Sequence, residues 1–123
     1  MGSRVAVIED DPAIGPMLND ILRLDGFEVT VIRDGLQAVP ALSAGGYEAA
    51  IIDIMLPGKD GITILREIRE GSRTRNLPVV MLTARSDDAT TWEGWKAGAN
   101  YFMSKPFDPQ ELVQVLRSVV DRR

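Results

Sequence analysis

Short apolar runs rich in valine and isoleucine alternate along this chain with longer segments of helical period. The runs fall at residues 4–8, 27–32, 49–53, 77–82 and 100–104, and the helical segments lie near 12–24, 35–45, 61–71, 87–97 and 109–121. Near-continuous apolar runs are what strands buried on both faces look like, and their alternation with helices marks βαβ units around a parallel sheet. Five repeats predict a doubly wound α/β fold, with a five-stranded parallel sheet and five helices. In this class ligands sit beyond the carboxyl ends of the strands.

The punctuation between segments agrees. Asp11-Pro12 and Asp108-Pro109 each set a capping acid before a proline at the first helical position, and Glu111 completes a D-x-x-E box. Leu112, Val113, Leu116, Val119 and Val120 form one stripe suited to packing on a sheet. Gly98 suits a helix stop, and the segment from Pro57 to Gly61 is turn chemistry with Asp60 as cap or turn acceptor. Asp34-Gly35 is a further turn. Pro16 and Pro40 fall past the first turn of their helices, where each removes a backbone hydrogen bond and predicts a local bend.

The strand ends carry the chemistry. Strand one ends in Glu9-Asp10-Asp11, strand three in Asp53, strand four in Thr83-Ala84, and strand five runs into Lys105-Pro106. Glu9, Asp10 and Asp53 against one ammonium leave about two excess negative charges in a small, partly desolvated volume, where like charges repel by several kcal/mol. Either protons or a divalent cation must compensate. The chain has no histidine and no cysteine, so any metal is held by oxygen, which favours a hard ion such as Mg²⁺ or Mn²⁺. Carboxylates accept phosphoryl groups covalently, and a metal with a lysine can neutralise the transferring oxygens while Thr83 donates a hydrogen bond. Asp11, followed by Pro12, reads as a helix cap rather than a ligand.

Composition narrows the remainder. The 123 residues suit one compact domain; 45% are apolar and 26% charged, a globular balance. No apolar run approaches the roughly 20 residues of a spanning helix, so no membrane role is expected. The first residues run straight into a strand with no signal-peptide pattern, and a cytoplasmic location follows by default. Residues 1–3 are compatible with a cloning remnant. A net charge of −4 argues against direct nucleic acid contact. Lack of His and Cys also removes most nucleophile–base pairs, thiol chemistry and the usual zinc sites.

From residue 4 to 121 the chain resembles a two-component response-regulator receiver domain. The resemblance rests on VIEDD, IIDIMLPGKDG, MLTAR and AGANYFMSKPFDPQEL, in that order and at the family's separations. It implies a flavodoxin-like fold with strand order 2-1-3-4-5, and Asp53 as phospho-acceptor from a phosphohistidine on a sensor histidine kinase. It further implies Asp10 as a direct Mg²⁺ ligand beside Asp53, Glu9 acting through water, and Met55 contributing its backbone oxygen. Thr83 resembles the switch hydroxyl, Lys105 the cation that pairs with the phosphate, and Phe102 the switch aromatic, here without a hydroxyl. The Lys105-Pro106 peptide is cis in the family. Met55 and Arg85, each two residues beyond a site residue, are expected to modulate phosphate lifetime. Lys59 borders the site and is expected to influence its field.

On this resemblance the domain is a signalling phospho-acceptor with at most slow autodephosphorylation, controlling an effector domain or protein downstream. A homodimer through the face of helix four, strand five and helix five is a further expectation. That face reads Thr91, Asn100, Tyr101 and Val115 where winged-helix relatives carry charges, so an ionic dimer is not expected. Trp92, Trp95, Tyr101 and Val115 could make an apolar patch there, or the tryptophans could pack inward. Tyr101, adjacent to Phe102 on a strand, points to the opposite side. The alternatives are an unphosphorylated interaction domain, an aspartyl-phosphate hydrolase, and a flavin module. Met55 occupies the position where the hydrolase needs a second acid, and acids occupy the strand ends where the flavin module needs a phosphate-cradling loop.

Overall fold

A computed structural model describes residues 3–56, 58–84 and 88–121. Five parallel strands, β1 (Arg4–Ile8), β2 (Glu28–Ile32), β3 (Ala49–Asp53), β4 (Val79–Thr83) and β5 (Tyr101–Ser104), form one sheet in the order β2-β1-β3-β4-β5. Around it lie α1 (Ile14–Leu24), α2 (Ala38–Ser43), α3 (Gly61–Glu70), α4 (Asp88–Ala97) and α5 (Pro109–Asp121), with a 3₁₀ turn at Gly35–Gln37.

The central strands β1, β3 and β4 are buried because both sheet faces are covered, whereas the edge strands β2 and β5 are partly exposed. Val5, Val7, Ala49, Ile51, Val80 and Leu82 face one way into a core closed by Leu18 and Leu22 of α1 and Leu112, Leu116 and Val119 of α5. Ala6, Ile8, Ala50, Ile52, Val79 and Met81 face the other way, against Ala38 and Leu42 of α2 and Ile64, Leu65 and Ile68 of α3. The period of two along each strand splits the runs between the two cores.

Element starts differ from the predicted ones for identifiable reasons. The β4 ladder begins after Pro78, which has no amide to donate, and extends through Thr83. Phe27 precedes β2 because its amide bonds to the Leu22 carbonyl and closes α1, with Gly26 at φ 94°. Asp11 does cap α1, its Oδ1 accepting from the amides of Ala13 and Ile14 at 2.8 and 3.2 Å. The regular helix nevertheless starts at Ile14, because Pro16 cannot donate to the Pro12 carbonyl. Pro40 likewise cannot donate to Leu36, and the second helix opens as the 3₁₀ turn before becoming α-helical at Ala38. Both prolines therefore mark helix starts rather than mid-helix positions.

At the other end of the sheet, Gly98 (φ 107°) stops α4 with its amide on Gly94 and Trp95 and the Ala99 amide on Gly94. The Arg69 guanidinium, from the last turn of α3, donates to the carbonyls of Leu77 (2.6 Å) and Gly98 (2.7 Å) and to Asn100 Oδ1 (2.9 Å). It ties together the entries to β4 and β5. Among the described residues, no helix is long and apolar enough to cross a membrane.

Candidate metal and phosphoryl-acceptor site

The register of the three central strands converges the acids. Ile8 pairs with Ile52 across β1 and β3, so Glu9 and Asp53 emerge side by side at the carboxyl edge. Both are buried, Glu9 being 1% exposed, and Asp10 is half-buried. One carboxylate oxygen from each of Glu9, Asp10 and Asp53 lies within 4.8 Å of the others.

Lys105 reaches this cluster from beyond β5. Its Nζ donates to Glu9 Oε1 at 2.8 Å and to Asp53 Oδ2 at 3.1 Å. The Lys105 amide donates to the Thr83 carbonyl at 2.8 Å, which fixes the start of the loop, and the Lys105–Pro106 peptide is cis. The other Asp53 oxygen, Oδ1, accepts the Met55 amide at 3.1 Å, while the Met55 side chain is exposed at the rim. Glu9 Oε2 accepts from the Asp11 amide at 3.3 Å.

The charges respond to this crowding. Burial pushes the Glu9 carboxyl up to about 7, aided by its hydrogen bond and repulsion with Asp53, against the lowering effect of Lys105. Burial alone would lower the Lys105 ammonium, but Glu9 and Asp53 outweigh it and raise the group above its ordinary value. One lysine does not neutralise three acids. An oxygen-only donor set, two members of it buried and one half-buried, fits a hard divalent ion that keeps some of its water.

Thr83 ends β4 buried at the same edge, on the sheet face that carries Met81. Phe102 pairs with Met81 across β4 and β5 and is half-buried on that face, its ring centroid 5.2 Å from that of Trp95. Tyr101 points the other way, into a cleft lined by Gln114, Val115, Ser118 and Val119 of α5. Lys59 turns from the site to pair with Glu67 at 2.7 Å, and Asp60 caps α3 by accepting from the Ile62 and Thr63 amides at 3.0 Å. Arg85 lies outside the described residues. Both tryptophans of α4 are exposed, Trp92 by 66% and Trp95 by 46%, so the inward packing weighed above does not occur.

Two residues escaped the sequence reading. Arg33 donates to the Asp10 carbonyl at 3.4 Å, a contact across the β1 and β2 ends that no motif announces. Gly94, inside α4, sits against the Phe102 ring. The available signal was a glycine inside a helical segment, which costs helix stability and so calls for a packing reason.

A doubly wound sheet with this edge defines a class, and the chain belongs to the response regulator receiver domain family, which matches residues 5–117. It is 39% identical over 122 residues, 99% of its length, to the DNA-binding response regulator MtrA of Mycolicibacterium smegmatis. It is also 39% identical over 120 residues, 98% of its length, to the transcriptional regulatory protein CseB of Streptomyces avermitilis. The chain spans about half the length of these relatives, 52% and 50%. Among solved structures it resembles the receiver domain of sensor histidine kinase PA1611 from Pseudomonas aeruginosa, which holds a magnesium ion in its active site cleft. That match has a TM-score of 0.91 and 32% identity, covering 98% of this chain and 99% of that one. The receiver domain of the Francisella response regulator 1452 matches with TM-score 0.91 and 30% identity, covering 98% of each.

Proposed function

We propose that residues 4–121 form a phospho-acceptor switch, with Asp53 taking a phosphoryl group from a phosphohistidine of a sensor histidine kinase. The observation that carries this reading is the Lys105 ammonium held between buried Glu9 and Asp53, with Asp10 beside them. An Asp53 oxygen attacks phosphorus, the P–N bond to the kinase imidazole breaks with its electron pair going to that nitrogen, and the imidazole leaves neutral, keeping the proton already carried by its other ring nitrogen. A bound Mg²⁺, or Mn²⁺, would supply charge neutralisation of the transferring oxygens. Asp10, Asp53 and the Met55 backbone oxygen would hold it directly, with Glu9 acting through water.

The protein groups divide the remaining work. Lys105 already touches Asp53 Oδ2 and neutralises charge that grows on the phosphoryl oxygens. The Met55 amide orients Oδ1, and the exposed Met55 side chain, with Arg85, governs how readily water reaches the product. Thr83 engages the new phosphate, Phe102 follows on the same sheet face, and the surface of α4, β5 and α5 changes its preferred conformation. That surface serves a downstream effector domain or protein, and a second copy of the chain, in the cytoplasm.

Intact mass after incubation with Mg²⁺ and acetyl phosphate tests the chemistry. One phosphoryl group on the wild type and none on Asp53→Asn is the expected result. Equal labelling of both, or labelling in chelator, would overturn the assignment.

A further inference from the structure

Gly94 lies in the interior of α4, where alanine would favour the helix more. A Cβ built on Gly94 would overlap the Phe102 ring, 2.7 Å from Cε2 and 3.0 Å from Cε1, with Cζ nearer still. The ring therefore rests in a notch that only the absent side chain provides. Trp95, the next residue, closes the notch from the solvent side at 5.2 Å between centroids and a tilt of 55°. On the strand side, Phe102 neighbours Met81, and Thr83 lies two residues further along the same face of β4.

We propose that Gly94 is a positioning residue for the switch, its notch being the seat that holds Phe102 in the resting orientation against Trp95. The seat couples α4 to the site. When the ring moves toward the Thr83 end of β4, Trp95 loses its aromatic neighbour and the notch on α4 opens. A side chain at position 94 denies the ring its seat and shifts the population toward the displaced orientation before any phosphoryl group arrives. The coupling to Asp53 rests on the phospho-acceptor reading above, whereas the seat itself does not.

Trp95 reports on the seat once Trp92→Phe removes the other indole. In that background, acetyl phosphate with Mg²⁺ should change Trp95 emission in step with the labelled fraction read by intact mass. Adding Asp53→Asn should abolish both. Gly94→Ala in the same background should move the emission of the unlabelled protein toward that of the labelled one and shrink the remaining change. Phe102→Leu should remove the change altogether. If Gly94→Ala lowers thermal stability, the Gly94→Ala/Phe102→Ala double variant should recover much of the loss relative to Phe102→Ala alone, since the overlap is gone. Unlabelled Gly94→Ala with the emission of its parent overturns the seat, whether or not labelling occurs. Labelling that leaves Trp95 emission unchanged overturns the coupling while Asp53 stands as acceptor, and failure of labelling with an intact Gly94→Ala shift rejects the phospho-acceptor reading alone.

Discussion

Glu9 is covered by protein, and its neutral form is the one that burial and Asp53 favour. With its carboxyl raised from 4.5 to about 7, the folded chain holds this proton more tightly than the unfolded chain does. Its contribution to stability is therefore most favourable below pH 4.5, falls as pH rises through that window, and is lowest above about 7. In chelator, Glu9→Gln should flatten the fall in melting temperature across this window, because a neutral amide replaces the titrating acid. A cation entering the cluster must displace the proton, so Mg²⁺ should raise the wild-type melting temperature at about pH 8 and far less at about pH 5. Thermal melts with and without chelator check both, and a metal effect independent of pH would contradict the arrangement. Lys105 sets the scale of the problem. Removing its charge in Lys105→Met leaves two buried acids facing each other, and the metal-free melting temperature should fall most above about pH 7, where Glu9 carries its charge.

At the scale of elements, two contacts position the site without touching it. Asp60 accepts from the amides of Ile62 and Thr63 and from the Thr63 hydroxyl, so it caps the helix that follows the Asp53 loop. Burial would raise its carboxyl, but those hydrogen bonds outweigh burial and lower it, so the cap acts above its ordinary range and weakens in acid. Asp60→Ala should cost about 1 kcal/mol, a drop of roughly 3 to 6 °C in melting temperature. Arg69→Met should cost more, about 2 kcal/mol, because partly buried carbonyls just before β4 and β5 lose a charged donor. Urea unfolding with an unchanged denaturant slope distinguishes such losses from a change of fold. The cap was legible in the sequence because Asx chemistry is local. Arg69 was not, since its partners lie up to 31 positions away and no spacing rule links them. Proline was legible only in part. Pro16 and Pro40 announced a missing donor, while where each helix would begin depended on which carbonyl lost its partner.

The whole molecule repeats that division between what is local and what is not. Short apolar runs, mostly of valine and isoleucine, foretold five strands, of which the three central ones are buried, and the acids, Thr83 and Lys105 at their ends foretold one edge, because a parallel sheet brings every strand end to the same side. The exposure of α4 could not be read, since its apolar residues do not form one regular stripe and both packings were open. The structure puts Trp92 and Trp95 outside, with Tyr101 on the neighbouring strand 39% exposed. On a chain of net charge −4, two copies repel, and that repulsion is screened by salt. Self-association through aromatic side chains should thus strengthen or hold as salt rises to about 0.5 M, where the Debye length is a few ångströms, whereas an ionic dimer would dissociate. Sedimentation of the acetyl phosphate-treated protein at low and high salt makes the distinction. Trp92→Glu should abolish the association under both conditions while leaving the labelling of Asp53 intact, because Trp92 stands clear of the acidic edge on the solvent side of α4. Dimers that survive Trp92→Glu but fall apart in salt would place the contact on another face.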